Sequence, residues 1–179
     1  TAGLQASSSG SRSPGTVTTL SLERVGYVAF CQAVAYSAHG LLGRPVLLWM
    51  PTLPSAAGMV LLLELSKMGV PPVRWFSPVA SSAIRPALSK RLATLYVVYA
   101  GRLLGASIPA PEYVGGDQVH VVLASLRQIL EAGHGCVVHC SPSSAARLAH
   151  EARTEGVTLT DVTFVTGGGP LTPAKAAEI

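Results

Sequence analysis

The chain has 179 residues, 49% hydrophobic and only 12% charged, with a formal charge of +4 and a mean hydropathy of +0.43. The positive charge is spread along the chain rather than gathered in a basic stripe with interleaved aromatics, which argues against a nucleic-acid binder. So few charges imply either strands buried on both faces or apolar surface that meets a partner. The longest apolar runs, Met59–Leu65 and Leu92–Tyr99, fall well short of the roughly 20 residues of a membrane span. Leu88–Leu104 therefore reads as a core or interfacial helix, and no membrane span is expected. Three cysteines, Cys31, Cys136 and Cys140, give no disulfide framework, so the expected location is the cytoplasm.

In chain order, Thr1–Thr16 is a Ser/Gly-rich stretch almost without apolar side chains, which fits either a flexible linker or a phosphate-gripping loop. Val17–Leu20 reads as a short strand, and Ser21 caps a helix that extends to about Leu42. Pro45–Met50 is an apolar strand, Ser55–Met68 a helix closed by Gly69, and Val73–Phe76 the next strand, which together predict a β–α–β unit. Pro86–Leu104 is read as a helix, Gly105–Asp117 as a surface loop, Gln118–Ala132 as a helix and Cys136–Cys140 as a strand. Ser141-Pro142 opens a helix to about Glu155, and Val162, Phe164 and Val165 belong to a last strand that breaks at Gly167–Pro170 before a helix over Pro173–Ile179. Helices alternate with short apolar strands throughout. The predicted class is α/β, a mostly parallel sheet flanked by helices, with residues 17–179 as one incomplete domain behind a phosphate-loop candidate at 1–16. The absence of an opening Met and a last helix of two turns suggest a fragment.

Candidate chemistry falls in four places. Ser8, Ser9, Gly10, Ser11 and Arg12 offer hydroxyls, free N–H groups and a guanidinium to phosphate oxygens, without the Gly-Lys-Ser/Thr ending of a P-loop. Trp49–Gly58 is a strand end, a turn and a helix start, and strand ends in open α/β sheets line ligand crevices. His134–Cys140 holds two His and two Cys, but alternation puts Cys136 and Cys140 on one strand face and His139 on the other, so core cysteines are expected and no metal site. Gly167, Gly168, Gly169 and Pro170 form bare backbone between a buried strand and a helix start, where a flat or anionic ligand can approach closely. Gly-X-Ser-X-Gly and His-Glu-X-X-His are both missing, so hydrolase and zincin templates fail, and no catalytic residue is assigned.

Four of these stretches follow one another as in a known family. SSGSRSPGT at Ser8–Thr16 is similar to the Ser/Thr/Gly phosphate loop of adenylate-forming enzymes, and it too precedes a short strand and a long helix. MPTLPSAAG at Met50–Gly58, CSPSSAARL at Cys140–Leu148 and GGGPLT at Gly167–Thr172 resemble three later motifs of that family. The chain thus resembles the N-terminal half of an acyl-adenylate-forming ligase, nearest the phenylacetate–CoA-ligase-like branch of the acyl-CoA synthetases. It departs from the pattern at Arg12-Ser13, where Thr-Gly is usual, and at Gly169, where Ala or Glu is usual.

The resemblance implies ATP with Mg²⁺, a carboxylate substrate and CoA as a thiol acceptor. It implies that Ser8–Arg12 hold the β/γ-phosphates, that Gly167–Pro170 lie along the adenine and acyl pocket, and that His139 and Ser141 contribute to the acyl wall. The family's ribose-binding Asp and C-terminal catalytic Lys are absent from this sequence, so a missing C-terminal domain or partner chain is expected, and the chain alone is expected to be inactive as a ligase. Two other classes stay open: a non-catalytic nucleotide or small-ligand module, and a scaffold domain with an apolar face for a partner chain.

Overall fold

A computed structural model of the chain describes residues 3–7, 17–52, 55, 57–79, 88–103, 107–115 and 117–179. The chain forms two compact units, the first made of Thr1–Gly43, Pro51–Pro72 and Pro86–Ala110, the second of Arg44–Met50, Val73–Arg85 and Pro111–Ile179.

In the first unit, β1 (Gly3–Ser7) pairs antiparallel with β2 (Val17–Ser21), from Gly3↔Ser21 to Ser7↔Val17. A strand at residues 3–7 was not expected from so polar a stretch, and this pair is separate from the main sheet. Ser8–Arg12 lie outside the described residues. Helix α1 (Leu22–Ala38) is capped by Ser21, whose Oγ accepts the Arg24 N–H at 3.2 Å. It ends four residues earlier than expected, where the Leu41 N–H turns back to the Tyr36 carbonyl at 2.8 Å. Helix α2 (Ala57–Lys67) packs on α1, and Gln32 Nε2 donates to Glu64 Oε2 at 2.9 Å. Burial raises the Glu64 carboxyl above its ordinary range, against the opposing pull of that hydrogen bond and of the Arg24 charge. Helix α3 spans Leu88–Leu103.

The second unit is a five-stranded sheet with strands β3 (Val46–Trp49), β4 (Arg74–Val79), β5 (Pro111–Gly115), β6 (Cys136–Cys140) and β7 (Val162–Thr166). The order is β5-β4-β3-β6-β7, and every neighbouring pair is parallel. Helices α4 (Val119–Glu131), α5 (Pro142–Thr154) and α6 (Pro173–Glu178) complete the unit. Leu47, Phe76, Val138 and Cys140 meet Val122, Leu126 and Leu148 of α4 and α5 in one apolar core. The alternate residues Val46, Leu48, Trp75, Val137 and His139 are buried as well. Both faces of the central strands are thus covered, as parallel sheets require, and this accounts for the sparse charge.

Strand β5 overturns the expectation of a surface loop over Gly105–Asp117. Pro111 opens it and Gly115 closes it, punctuation that reads as loop, but β5 lies at the sheet edge, where a proline leaves no inner ladder position unpaired. Pro78 is tolerated in β4 for a related reason: β3 pairs with β4 only at Arg74–Phe76, so at Pro78 the partner is β5 alone. Arg74 ties this side together, donating to Ser125 Oγ of α4 at 2.6 Å and standing 3.8 Å from Glu112 of β5. Among the described residues no helix is long and apolar enough to cross a membrane.

Helix α5 ends on Gly156 at φ 68°, with the Val157 N–H bonded to the Ala152 carbonyl at 2.7 Å. Only glycine holds that left-handed conformation without cost, and the return bond delivers Val157 to the core. A Cβ at Gly156 would meet no atom of the described residues within 4 Å, so the penalty of adding one is conformational. Gly156→Ala should lower unfolding stability by about 1 kcal/mol, measured by urea titration, with the far-ultraviolet dichroism of the native state unchanged.

Candidate functional site

The five parallel strands all end on one edge. The chain leaves β3 toward β4 and β5 on one side, then returns to place β6 on the other side of β3 and β7 beyond it. The connections therefore change direction between β3 and β6, and open α/β sheets bind ligands outside the carboxyl ends of the strands at such a reversal. Trp49 is the register partner of Cys140, and Cys140 of Thr166, so β3, β6 and β7 finish level with one another.

On this rim the structure brings two of the sequence candidates together. The Gly167 N–H donates to the Cys140 carbonyl at 3.1 Å, fixing the glycine turn to the last residue of β6. Ser141 follows as the N-cap of α5; its Oγ accepts the Ser144 N–H at 3.1 Å and lies 3.0 Å from Ser144 Oγ. Gly167–Pro170 are exposed. Gly168 adopts φ 79° and is a backbone necessity, but its neighbours are not: among the described residues a Cβ at Gly167 would meet nothing within 4 Å, and one at Gly169 only Pro142 Cδ at 3.9 Å. Packing among the described residues does not demand glycine at 167 or 169. The result is bare backbone beside the positive end of a 13-residue helix, a combination suited to anionic or flat ligands.

The other candidates stand elsewhere. His139 is one residue inside the rim, 4% exposed and flanked in register by Leu48 and Val165. Burial depresses its imidazole to about 4, so the ring is neutral near pH 7. Cys136 and Cys140 are in the apolar core, and burial pushes both thiols up to about 12, leaving them protonated rather than nucleophilic. Among the described residues no group of three His, Cys, Asp or Glu side chains could hold a metal ion. A Mg²⁺ ion here would have to arrive with phosphate oxygens supplying much of its shell, as it commonly does. Of Trp49–Gly58, Trp49 and Met50 belong to this unit, and Leu53, Pro54 and Ala56 lie outside the described residues.

Two features were not singled out from sequence. The indole of Trp49, at the end of β3, is 3% exposed, and its Nε1 has no hydrogen-bond partner among the described residues. Nothing in the local sequence marks an orphaned donor. A cleft of about 420 Å³ is lined by Asp117 and Val119 at the start of α4, by Arg147, His150 and Glu151 of α5 and by Glu178 of α6. Glu178 accepts from His150 Nδ1 at 3.0 Å and from Arg153, which together hold its carboxyl below the ordinary range and tie α6 to α5. These residues are distant in sequence and meet only through helix packing.

The His139 environment gives a sign for the acid limb of stability. Its folded value lies below the unfolded one of about 6.5, so the unfolded chain binds the extra proton and stability falls as pH drops between those values. The full effect is about 3 kcal/mol. Urea midpoints taken from pH 7 to pH 4 should show this loss in the natural chain and a smaller one in His139→Gln.

Comparison of the chain with protein-family models, with curated proteins and with solved structures finds no match in any of the three.

Proposed function

We propose that the carboxyl edge of the second unit is a nucleotide site, and that the chain is the nucleotide and acyl platform of an ATP-dependent, AMP-forming carboxylate ligase. One observation carries this reading: Gly167–Gly169 offer open backbone beside the reversal between β3 and β6, next to the capped start of α5, where two of the three glycines have no packing reason among the described residues to lack a side chain. The family resemblance of GGGPLT and CSPSSAARL falls on these same residues.

In such a reaction the carboxylate oxygen attacks the α-phosphorus of ATP, pyrophosphate leaves, and a thiol such as that of CoA then takes the acyl group with release of AMP. The roles proposed for this chain are binding and orientation. Gly167–Pro170 line the adenine and acyl moieties, Ser141 and the first N–H groups of α5 face negative charge, and neutral His139 supports the floor beneath them. Ser8–Arg12 are proposed for the β/γ-phosphates, and Mg²⁺ bound with ATP would supply positive charge that stabilises the phosphoryl oxygens.

The second reading, a nucleotide-binding module without chemistry, is favoured by the rim itself. Two residues beside it that could transfer a proton or attack, His139 and Cys140, are buried, one neutral and the other a protonated thiol. The chain alone is expected to be inactive under either reading, so binding distinguishes the two: a ligase platform should hold a non-hydrolysable acyl-adenylate analogue more tightly than AMP, and a module without chemistry should hold the two alike.

Calorimetric titration with ATP·Mg tests the shared premise. Gly167→Val adds a side chain where the fold has room, so it should weaken binding at least tenfold while shifting the melting temperature by no more than a few degrees. Arg12→Ala should weaken ATP more than AMP. No heat at millimolar nucleotide would leave the scaffold reading in place of both.

A further inference from the structure

Helix α3 turns its large apolar side chains toward solvent. Leu88 is 69% exposed, Leu92 57%, Tyr96 75%, Tyr99 56% and Leu103 89%, whereas Thr94 and Val98 on the opposite side are buried. Steps of four, four, three and four residues keep all five on one stripe along the whole 16-residue helix. At about 200 Å² for a fully exposed tyrosine side chain and about 120 Å² for a leucine, the stripe presents roughly 500 Å². That lies toward the upper end of the largest apolar patch of an ordinary monomer, about 300–600 Å², and is more than half of the roughly 800 Å² that each partner contributes to a stable interface.

We propose that α3 is the two-fold interface of a homodimer, packing antiparallel against α3 of a second copy. The arrangement of the stripe favours this occupant. It reads nearly the same from either end: Leu88 and Leu103 are equidistant from the midpoint between Leu95 and Tyr96, and so are Leu92 and Tyr99. A two-fold axis crossing the helix at that midpoint sets Leu88 against Leu103 of the other copy and Leu92 against Tyr99, with Tyr96 beside the axis. Self-complementarity of this kind is what an isologous contact requires. The seven-residue intervals Leu92–Tyr99 and Tyr96–Leu103 are those of paired helices. A membrane surface asks for no such symmetry and favours basic side chains reaching for lipid headgroups. Of the basic residues of α3, Lys90, Arg91 and Arg102, Arg102 donates from Nε to the Ile108 carbonyl at 2.7 Å and lies 5.6 Å from the centroid of the Tyr99 ring, held within its own unit.

Sedimentation velocity of the full chain across micromolar concentrations should show a monomer–dimer equilibrium. Leu92→Glu should raise the dissociation constant by on the order of 30-fold or more, the size of a hot-spot loss, with the dichroism and melting of the monomer unchanged. Geometry is tested by oxidation in a Cys31→Ser background, since Cys31 is exposed and Cys136 and Cys140 are buried. Tyr96→Cys should form a disulfide-linked dimer. Leu88→Cys alone should not, because its counterpart sits about 22 Å away along an antiparallel pair, and adding Leu103→Cys should restore the link. A monomer at every concentration, a Leu92→Glu dimer as tight as the natural one, or cross-linking of Leu88→Cys alone would overturn the proposal. So would a monomer that binds phosphatidylcholine–phosphatidylserine vesicles and loses them on Leu92→Glu.

Discussion

Parallel pairing is the constraint on which the second unit depends. Parallel neighbours cannot be joined by a tight hairpin, so each strand must be followed by a crossover before the next begins. Every connection that leaves a strand of this sheet therefore starts from the same edge. Strand β6 sits at the centre of the consequence. It bonds to β3 on one side and β7 on the other, all five of its residues are buried, and its last carbonyl holds the glycine turn. The rim described above is where the backbone runs out of pairing partners while the core beneath it is already closed.

This arrangement separates the duties of neighbouring residues. Cys136, Val138 and Cys140 look into the apolar core, and their thiols are silenced by the packing that makes them useful there. His139, between them, is buried and kept neutral. Two positions after His139, Ser141 is a cap with its hydroxyl at the start of a helix. Within three residues the chain passes from core to rim, and only the rim is open to a ligand.

Much of this was legible in the sequence because the relevant signals are local. Ser21, Ser141 and Thr172 cap helices where the residue types require. The apolar runs at Pro45–Met50 and Cys136–Cys140 became central strands, and the run broken by Gly167 became β7 at the sheet edge. What sequence missed depends on partners. Pro111–Gly115 carries loop punctuation and is a strand only because β4 offers it an edge. Residues 3–7 pair only because Val17–Ser21 lies opposite. The division into two interleaved units, the orphaned Trp49 indole and the cleft beside Glu178 arise from contacts between segments far apart in the chain. The apolar run at Leu92–Tyr99 was visible as such, but its exposure was not, since periodicity shows a stripe without showing which way it faces.

The three glycines of the rim also differ in what variation at each would record. Replacement of Gly168 is resisted by the backbone in any member of a lineage, whatever the chain binds. Gly167 and Gly169 carry no such veto from the described residues. Among natural variants, alanine or serine at these two sites, tolerated or refused, would therefore report on something other than packing by the described residues, a record separate from the one that Gly168 keeps of folding.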